Sequence, residues 1–181
     1  MTRFPILVAV LVAVALLGAT PARASGGELV LAAAPVYSLV KWDQRHPSGG
    51  GIALDAAYGL NDWLWLRGAT FYTAQAASED EVAALPAGAI SVGGAFVGLR
   101  YAFDVLRVIP FVDAGVGALF AGGAGHGGRV DFGVDVGLGF DYLYSRRVSF
   151  GLVVRYHAFL TNVENIPVYL YAGPRFALRW D

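Results

Sequence analysis

Few residues in this chain could do chemistry, and their spacing argues against most of it. His157 and Ser149 share one side of an alternating segment, with acids elsewhere in the chain, so a Ser-His-acid hydrolase is the first chemistry to weigh. Eight extended residues separate the two by roughly 26 Å, too far for proton transfer. His157 is then expected to be a neutral, hydrogen-bonded residue inside the fold. His46, His126, Glu79, Asp80, Glu81 and Glu164 fall between the alternating stretches. Converging loops could gather them round a metal ion, but their spacing fits no ligand motif. Gly122-Gly123-Ala124-Gly125 lacks the Lys-Ser/Thr of a phosphate loop, and the chain has no cysteine for a thiolate site or a disulfide. The expectation is no enzyme, no metal and no cofactor. What remains is a set of arginines and aspartates, whose use depends on the elements that carry them.

Those elements read as β-strands. From Val130 to Tyr142 the apolar residues Val130, Phe132, Val134, Val136, Leu138, Phe140 and Tyr142 interleave with Asp131, Gly133, Asp135, Gly137, Gly139 and Asp141. A period of two belongs to a strand and not to a helix. Extending the reading predicts eight strands near 29–42, 50–59, 63–73, 89–103, 108–121, 129–142, 147–160 and 168–180. Tight turns around Leu60-Asn61-Asp62, Leu106-Arg107 and Tyr144-Ser145-Arg146 alternate with longer connections at 43–49, 74–88, 122–128 and 161–167. Pro35 suits a position in the first strand where no ladder donor is needed. The mean hydropathy is +0.55 with 56% apolar residues. A chain this apolar, with no helical span after residue 24, is most simply a closed barrel in a membrane. The predicted fold is all-β, an eight-stranded antiparallel up-and-down transmembrane barrel.

A soluble barrel alternates too, with its apolar side inward. Here the polar side consists of Gly, Ala, Asp and Arg, which suit a narrow bore and not a solvated exterior rich in Lys and Glu. Tyr58, Tyr101, Phe103, Tyr142 and Trp180 gather near the short-turn ends, as an interfacial girdle requires. Centring the three tight turns sets Asp55 opposite Arg67, Arg100 opposite Asp113 and Asp135 opposite Arg155, all facing inward. With Arg175, Arg179, Asp131 and Asp141 they predict a charge-balanced lattice that holds the lumen shut. A polar gate that opens would use the same residues.

At the N-terminus, Arg3, the apolar run Ile6 to Ala19 and Pro21-Ala22-Arg23-Ala24 have the layout of a signal peptide cleaved after residue 24, which leaves 25–181 as the barrel domain. A net charge near zero gives no reason to expect nucleic acid. The last strand ends with Phe176, Leu178 and Trp180 spaced by two, which resembles the C-terminal signal read by barrel-assembly machinery, although Asp181 follows the final aromatic. The whole of 25–181 resembles the small outer-membrane barrels that include the OmpA transmembrane domain, OmpX and OmpW. That resemblance implies the outer membrane of a Gram-negative-type bacterium, with lipid, lipopolysaccharide and the assembly machinery as partners. The Glu79-Asp80-Glu81 run is expected as a solvated loop tip bridged to lipopolysaccharide by divalent cations. A non-enzymatic structural or surface-interaction role is the leading expectation. A narrow channel for ions or small solutes is the alternative, and a surface lipid-modifying enzyme stands third.

Overall fold

The computed structural model describes residues 27–41, 48–76, 90–103, 107–123, 126–160 and 168–180. The expected signal peptide, His46, Glu79, Asp80, Glu81, Glu164 and Asp181 lie outside those residues, as does the side chain of His126. Eight strands follow in order: β1 (Leu29–Lys41), β2 (Ser48–Gly59), β3 (Leu64–Ala76), β4 (Ile90–Ala102), β5 (Val108–Gly123), β6 (His126–Leu143), β7 (Val148–Phe159) and β8 (Val168–Trp180). Each pairs antiparallel with its sequence neighbour, and β8 returns to β1, so the sheet closes into an up-and-down barrel. Closure leaves no unpaired edge, the condition a sheet must meet inside a bilayer.

The strands form where the period of two predicts them, and the alternation sets the two faces. Outward positions such as Ile52, Leu66, Val97, Val112, Val136, Leu138 and Leu152 are exposed, while the charged residues between them are buried. Among the outward positions of the described strands the charged one is Lys41, the last residue of β1 at the long-loop end. Of the polar ones, Ser48 starts β2 at the same end, and Thr70 and Ser91 are bonded, to Gly94 O at 2.9 Å and to the Tyr72 hydroxyl at 2.9 Å. An exterior that carries charge only at its rim is a lipid-facing exterior, and the inward-apolar alternative fails on it. At the short-turn end Trp63, Tyr101, Phe103, Tyr142, Tyr144, Phe150, Phe176 and Trp180 form an exposed aromatic girdle, with Trp63 edge-on to Tyr101 at 6.4 Å.

Two of the three expected turn centres move by one residue, and side-chain caps are the cause. Asn61 Oδ1 accepts from the Trp63 and Leu64 amides at 3.0 and 2.8 Å, and the Leu60 amide donates to Leu64 O at 2.9 Å, which centres the turn on Asp62. Ser145 Oγ does the same for Arg147 and Val148 at 3.3 and 3.1 Å, and the Tyr144 amide donates to Val148 O at 3.0 Å, which centres that turn on Arg146. Such caps take the place of backbone turn bonds and move the centre along the chain. Moving a centre by one moves each cross-strand partner by two, so the faces survive and the partners change. Asp55 therefore lies opposite Ala69, and Arg67 opposite Ala57, in place of the expected Asp55/Arg67 pair. Asp135 lies opposite His157, and Arg155 opposite Gly137. Arg100 lies opposite Asp113.

One seam is incomplete. Pairing of β1 with β8 runs to Ala33↔Phe176 and resumes at Tyr37↔Ala172, and Pro35 and Pro174 lie within the gap.

The lipid face is tested by Val136→Arg, which puts a cation at mid-depth on the outside and is expected to cost about 2 to 4 kcal/mol in denaturant titrations of protein folded into lipid vesicles. An unchanged midpoint would mean that Val136 does not face lipid.

Candidate functional site: a charge lattice and an aromatic layer in the bore

An eight-stranded barrel is just wide enough for side chains to fill it. The inward residues of β3 pass through every layer of the filling: Trp65, Arg67, Ala69, Phe71, Thr73 and Gln75, from the short-turn end outward. At the short-turn mouth Arg179 forms an ion pair with Glu28, its Nη2 donating to Oε2 at 3.0 Å, and lies over the Trp65 ring. Gly27, at φ 125°, turns the chain just before Glu28 and donates to Gly59 O at 3.0 Å.

Above that mouth sits the lattice, four arginines against four aspartates. Asp55 accepts from three arginines: Arg67 Nε at 3.0 Å, Arg100 Nη2 at 3.0 Å and Arg175 Nη2 at 2.9 Å. Asp113 accepts from Arg100 Nη2 at 2.9 Å and Arg155 Nη2 at 2.9 Å, with Arg67 Nη1 at 3.4 Å. Arg67 Nη1 also donates to Asp135 Oδ2 at 2.8 Å, and Arg175 to Asp141. Arg100 and Arg175 flank the Phe111 ring, 4.1 and 5.3 Å from its centroid. The set is electrically neutral. Neutrality is what allows burial, because a charge out of water is tolerated only when paired and hydrogen-bonded.

Glycines explain how partners on different strands meet. Followed sideways across the ladder, one row reads Arg100, Asp113, Gly137, Arg155. A second reads Arg67, Gly98, Gly115, Asp135, and a third Asp141, Gly151, Arg175. Arg67 and Asp135 are three strand spacings apart, about 14 Å along the wall. The guanidinium crosses that interval because nothing stands on the wall between them. A Cβ on Gly137 would sit 2.4 Å from Asp113 Oδ1 and 2.8 Å from Arg155 Nε, and one on Gly115 would sit 2.5 Å from Asp135 Oδ1. The inward glycines are thus part of the lattice.

The outer half of the bore is aromatic. His157 is fully buried among Phe71, Phe96, Tyr169 and Tyr171, with ring centroids at 4.7, 4.9, 5.4 and 5.4 Å. Neither of its ring nitrogens has a hydrogen-bond partner, so the expected hydrogen-bonding role is replaced by packing in a layer of rings. Its register sets it opposite Asp135, but its ring packs into the aromatic layer and makes no bond to that carboxylate. Ser149 lies eight residues away along β7, opposite Leu143 at the short-turn end. Above the rings, Thr73 shares a 2.8 Å hydrogen bond with the Tyr169 hydroxyl, and Gln75 Nε2 donates to Ser38 Oγ at 2.8 Å. Among the described residues a cavity of about 10 Å³ lies beside Asp55, Arg155, Tyr171 and Arg175 and has room for about one water.

The residues singled out from the sequence thus meet in one lattice, with Asp141 among them. Asp131 sits opposite Leu119, toward the aromatic half, and Arg179 forms its pair below the lattice. Glu28, Phe111 and the ring layer were not anticipated, although Phe111 shares its parity with Asp113. Among the described residues no group of three or more His, Asp or Glu is placed to hold a metal. Phe176 and Trp180 project outward from β8, and Trp180 pairs with Leu29 where the barrel closes.

No known family profile matches the chain, and no curated protein sequence does. Solved structures do match. Neisserial surface protein A superposes with a TM-score of 0.66 at 17% identity, covering 85% of this chain and 99% of that one. Ail, the attachment invasion locus protein of Yersinia pestis, gives 0.62 at 17% identity over 85% and 99%. The outer membrane protein OprG from Pseudomonas aeruginosa gives 0.61 at 12% identity over 86% and 97%. The likeness at such identities is one of fold, that of the small outer-membrane barrels.

Three substitutions test the lattice. Asp135→Ala leaves Arg67 short of a partner and is expected to cost about 3 to 5 kcal/mol, with Arg67→Ala and Asp135→Ala together costing less than their sum. Gly137→Ala adds one methyl to the Arg100 row and should cost about 1 to 3 kcal/mol in the same denaturant titration. A change within about 0.5 kcal/mol, usual for a neutral surface site, would show that no pair runs over that glycine.

Proposed function

We propose that this small transmembrane barrel stands in the outer membrane of a Gram-negative-type bacterium as a non-enzymatic protein with a structural or surface-interaction role and a closed lumen. The observation that carries this reading is the filled bore. Among the described residues a neutral ion lattice, a layer of five rings and a hydroxyl-amide cap succeed one another along β3, and a cavity between them has the size of about one water. A conduit needs a continuous polar path of ionic width, and a bore packed with paired charges and rings lacks one. An enzyme needs a base within reach of a nucleophile and a place for substrate, and His157, walled in by rings, has neither.

The apolar exterior, charged only at Lys41 on its rim, and the aromatic girdle support membrane residence, and the fold shared with outer-membrane barrels supports that membrane in particular. Interaction would then fall to the long connections at the end opposite the short turns, with lipid and lipopolysaccharide as neighbours. Phe176, Leu178 and Trp180, outward on the strand that closes the barrel, would serve as the signal for assembly machinery.

The test is single-channel recording of refolded protein in planar bilayers. Wild type is expected to be silent or to open rarely and briefly, and removing Asp135 or Arg155 should raise open probability by loosening the lattice. Steady, large conductance from wild type would overturn the closed reading, and Asp55, Arg67, Arg100, Asp113, Asp135 and Arg155 would then be selectivity residues.

A further inference from the structure

The incomplete seam has a chemical cause. In an antiparallel ladder, opposed residues alternate between pairs that exchange both N–H···O=C bonds and pairs that exchange none. Between β1 and β8 pairing is lost at three successive positions, between Ala33↔Phe176 and Tyr37↔Ala172, and the register carried through the gap sets Pro35 opposite Pro174. Losing both bonds of the central pair has this effect, because the same two bonds also define the positions on either side. Pro35 and Pro174 are therefore a bonding-type pair in which neither residue has an N–H to give. Their two carbonyl oxygens have lost their ladder donors. This reverses the expectation that Pro35 occupies a position needing no donor.

The place is unusual for such a defect. Proline is ordinarily kept to sheet edges and bulges, and a backbone acceptor left without a donor in hydrocarbon costs several kcal/mol. Both prolines are exposed on the outward face, flanked across the ladder by Ile52 on β2 and Leu152 on β7. Ala33 and Ala172 beside them are small, and Tyr37 and Phe176 rim the patch. On the bore side, Ala32 and Ala34 line the water-sized cavity together with Arg175, whose guanidinium is committed to Asp55 and Asp141.

We propose that the Pro35/Pro174 seam is a lipid-facing binding site for a membrane-dissolved molecule with an apolar body and a hydroxyl-type hydrogen-bond donor. The hydroxyl donates to one of the two proline carbonyls, and the body lies over the patch bounded by Tyr37, Phe176, Ile52 and Leu152. The bonding selects the ligand class, since a molecule without a donor gains nothing at two acceptors. The inference rests on the reading that this exterior lies in lipid.

The experiment uses the full barrel in phospholipid nanodiscs, with backbone amide shifts followed by NMR while 1-decanol or, separately, decyl methyl ether is added. Decanol is expected to shift Ala33, Tyr37, Ala172 and Phe176 saturably, with Val116 and Val134 on the far wall unmoved. The ether should not saturate those sites. Pro35→Ala combined with Pro174→Ala restores both N–H groups, which occupy both acceptors, and should weaken the decanol response about tenfold, as the loss of its one hydrogen bond implies. Equal response to the ether, or an undiminished response in the double variant, overturns the site. Should the double variant fail to fold, the alcohol and ether comparison on wild type decides alone. Incorporation of wild type into nanodiscs reports separately on whether the exterior lies in lipid.

Discussion

The structure depends on one constraint: charge inside a membrane-spanning barrel must be cancelled within the bore. Water cannot solvate a guanidinium walled in by eight strands, so each must find carboxylates at hydrogen-bond distance. Asp55, shared by Arg67, Arg100 and Arg175, and Asp113, shared by Arg100 and Arg155, meet that demand by joining several strands at a single carboxylate. The ladder spaces strands about 4.8 Å apart, so charges on different strands can converge only if the wall between them is bare. Gly98, Gly115, Gly137 and Gly151 supply that bareness. They lie in the sheet as clearance for arginines, a use unrelated to turns.

This arrangement accounts for the division of the bore. Charges gather in the half near the short turns, capped at the mouth by Arg179 and Glu28. Rings and hydroxyls fill the other half, where His157 packs as a ring among rings. The lattice ties β2, β3, β4, β5, β6, β7 and β8 together across the bore, which β1 enters with small or apolar side chains such as Ala32, Ala34 and Val36. The strand with least to hold it from inside is the one whose seam also carries the paired prolines.

Much of this was legible in the sequence, because period two is a local property that no tertiary contact can disguise. Val130 to Tyr142 alone establishes strand, faces and the inward direction of Asp135 and Asp141. The partners were less legible, because they depend on turn length. Asn61 and Ser145 each cap their turn with a side-chain oxygen and shift its centre by one residue, an effect that a turn centred by symmetry misses. The glycine rows were hidden for a related reason: Gly98, Gly115 and Asp135 become a row only once the registers are known. Glu28 lies before the first strand, where alternation offers no signal. Pro35 reads in the sequence as a proline at a position that needs no ladder donor, and only the register that sets Pro174 opposite shows that a donor is missing there.

The central claim, that neutral pairing of arginines with aspartates holds the bore closed, is tested most directly by hydrogen exchange at the guanidinium Nε–H groups in ¹⁵N-arginine-labelled protein folded in lipid. Arg67 Nε donates to Asp55 at 3.0 Å and Arg100 Nε to Asp113 at 3.2 Å, both away from solvent. Their protons should exchange far more slowly than those of exposed Arg107, Arg146 and Arg147, and should gain speed when Asp55 is replaced by Ala. Exchange of Arg67 and Arg100 at the rate of the exposed arginines would mean that water moves freely through the bore, and the closed lattice would be contradicted.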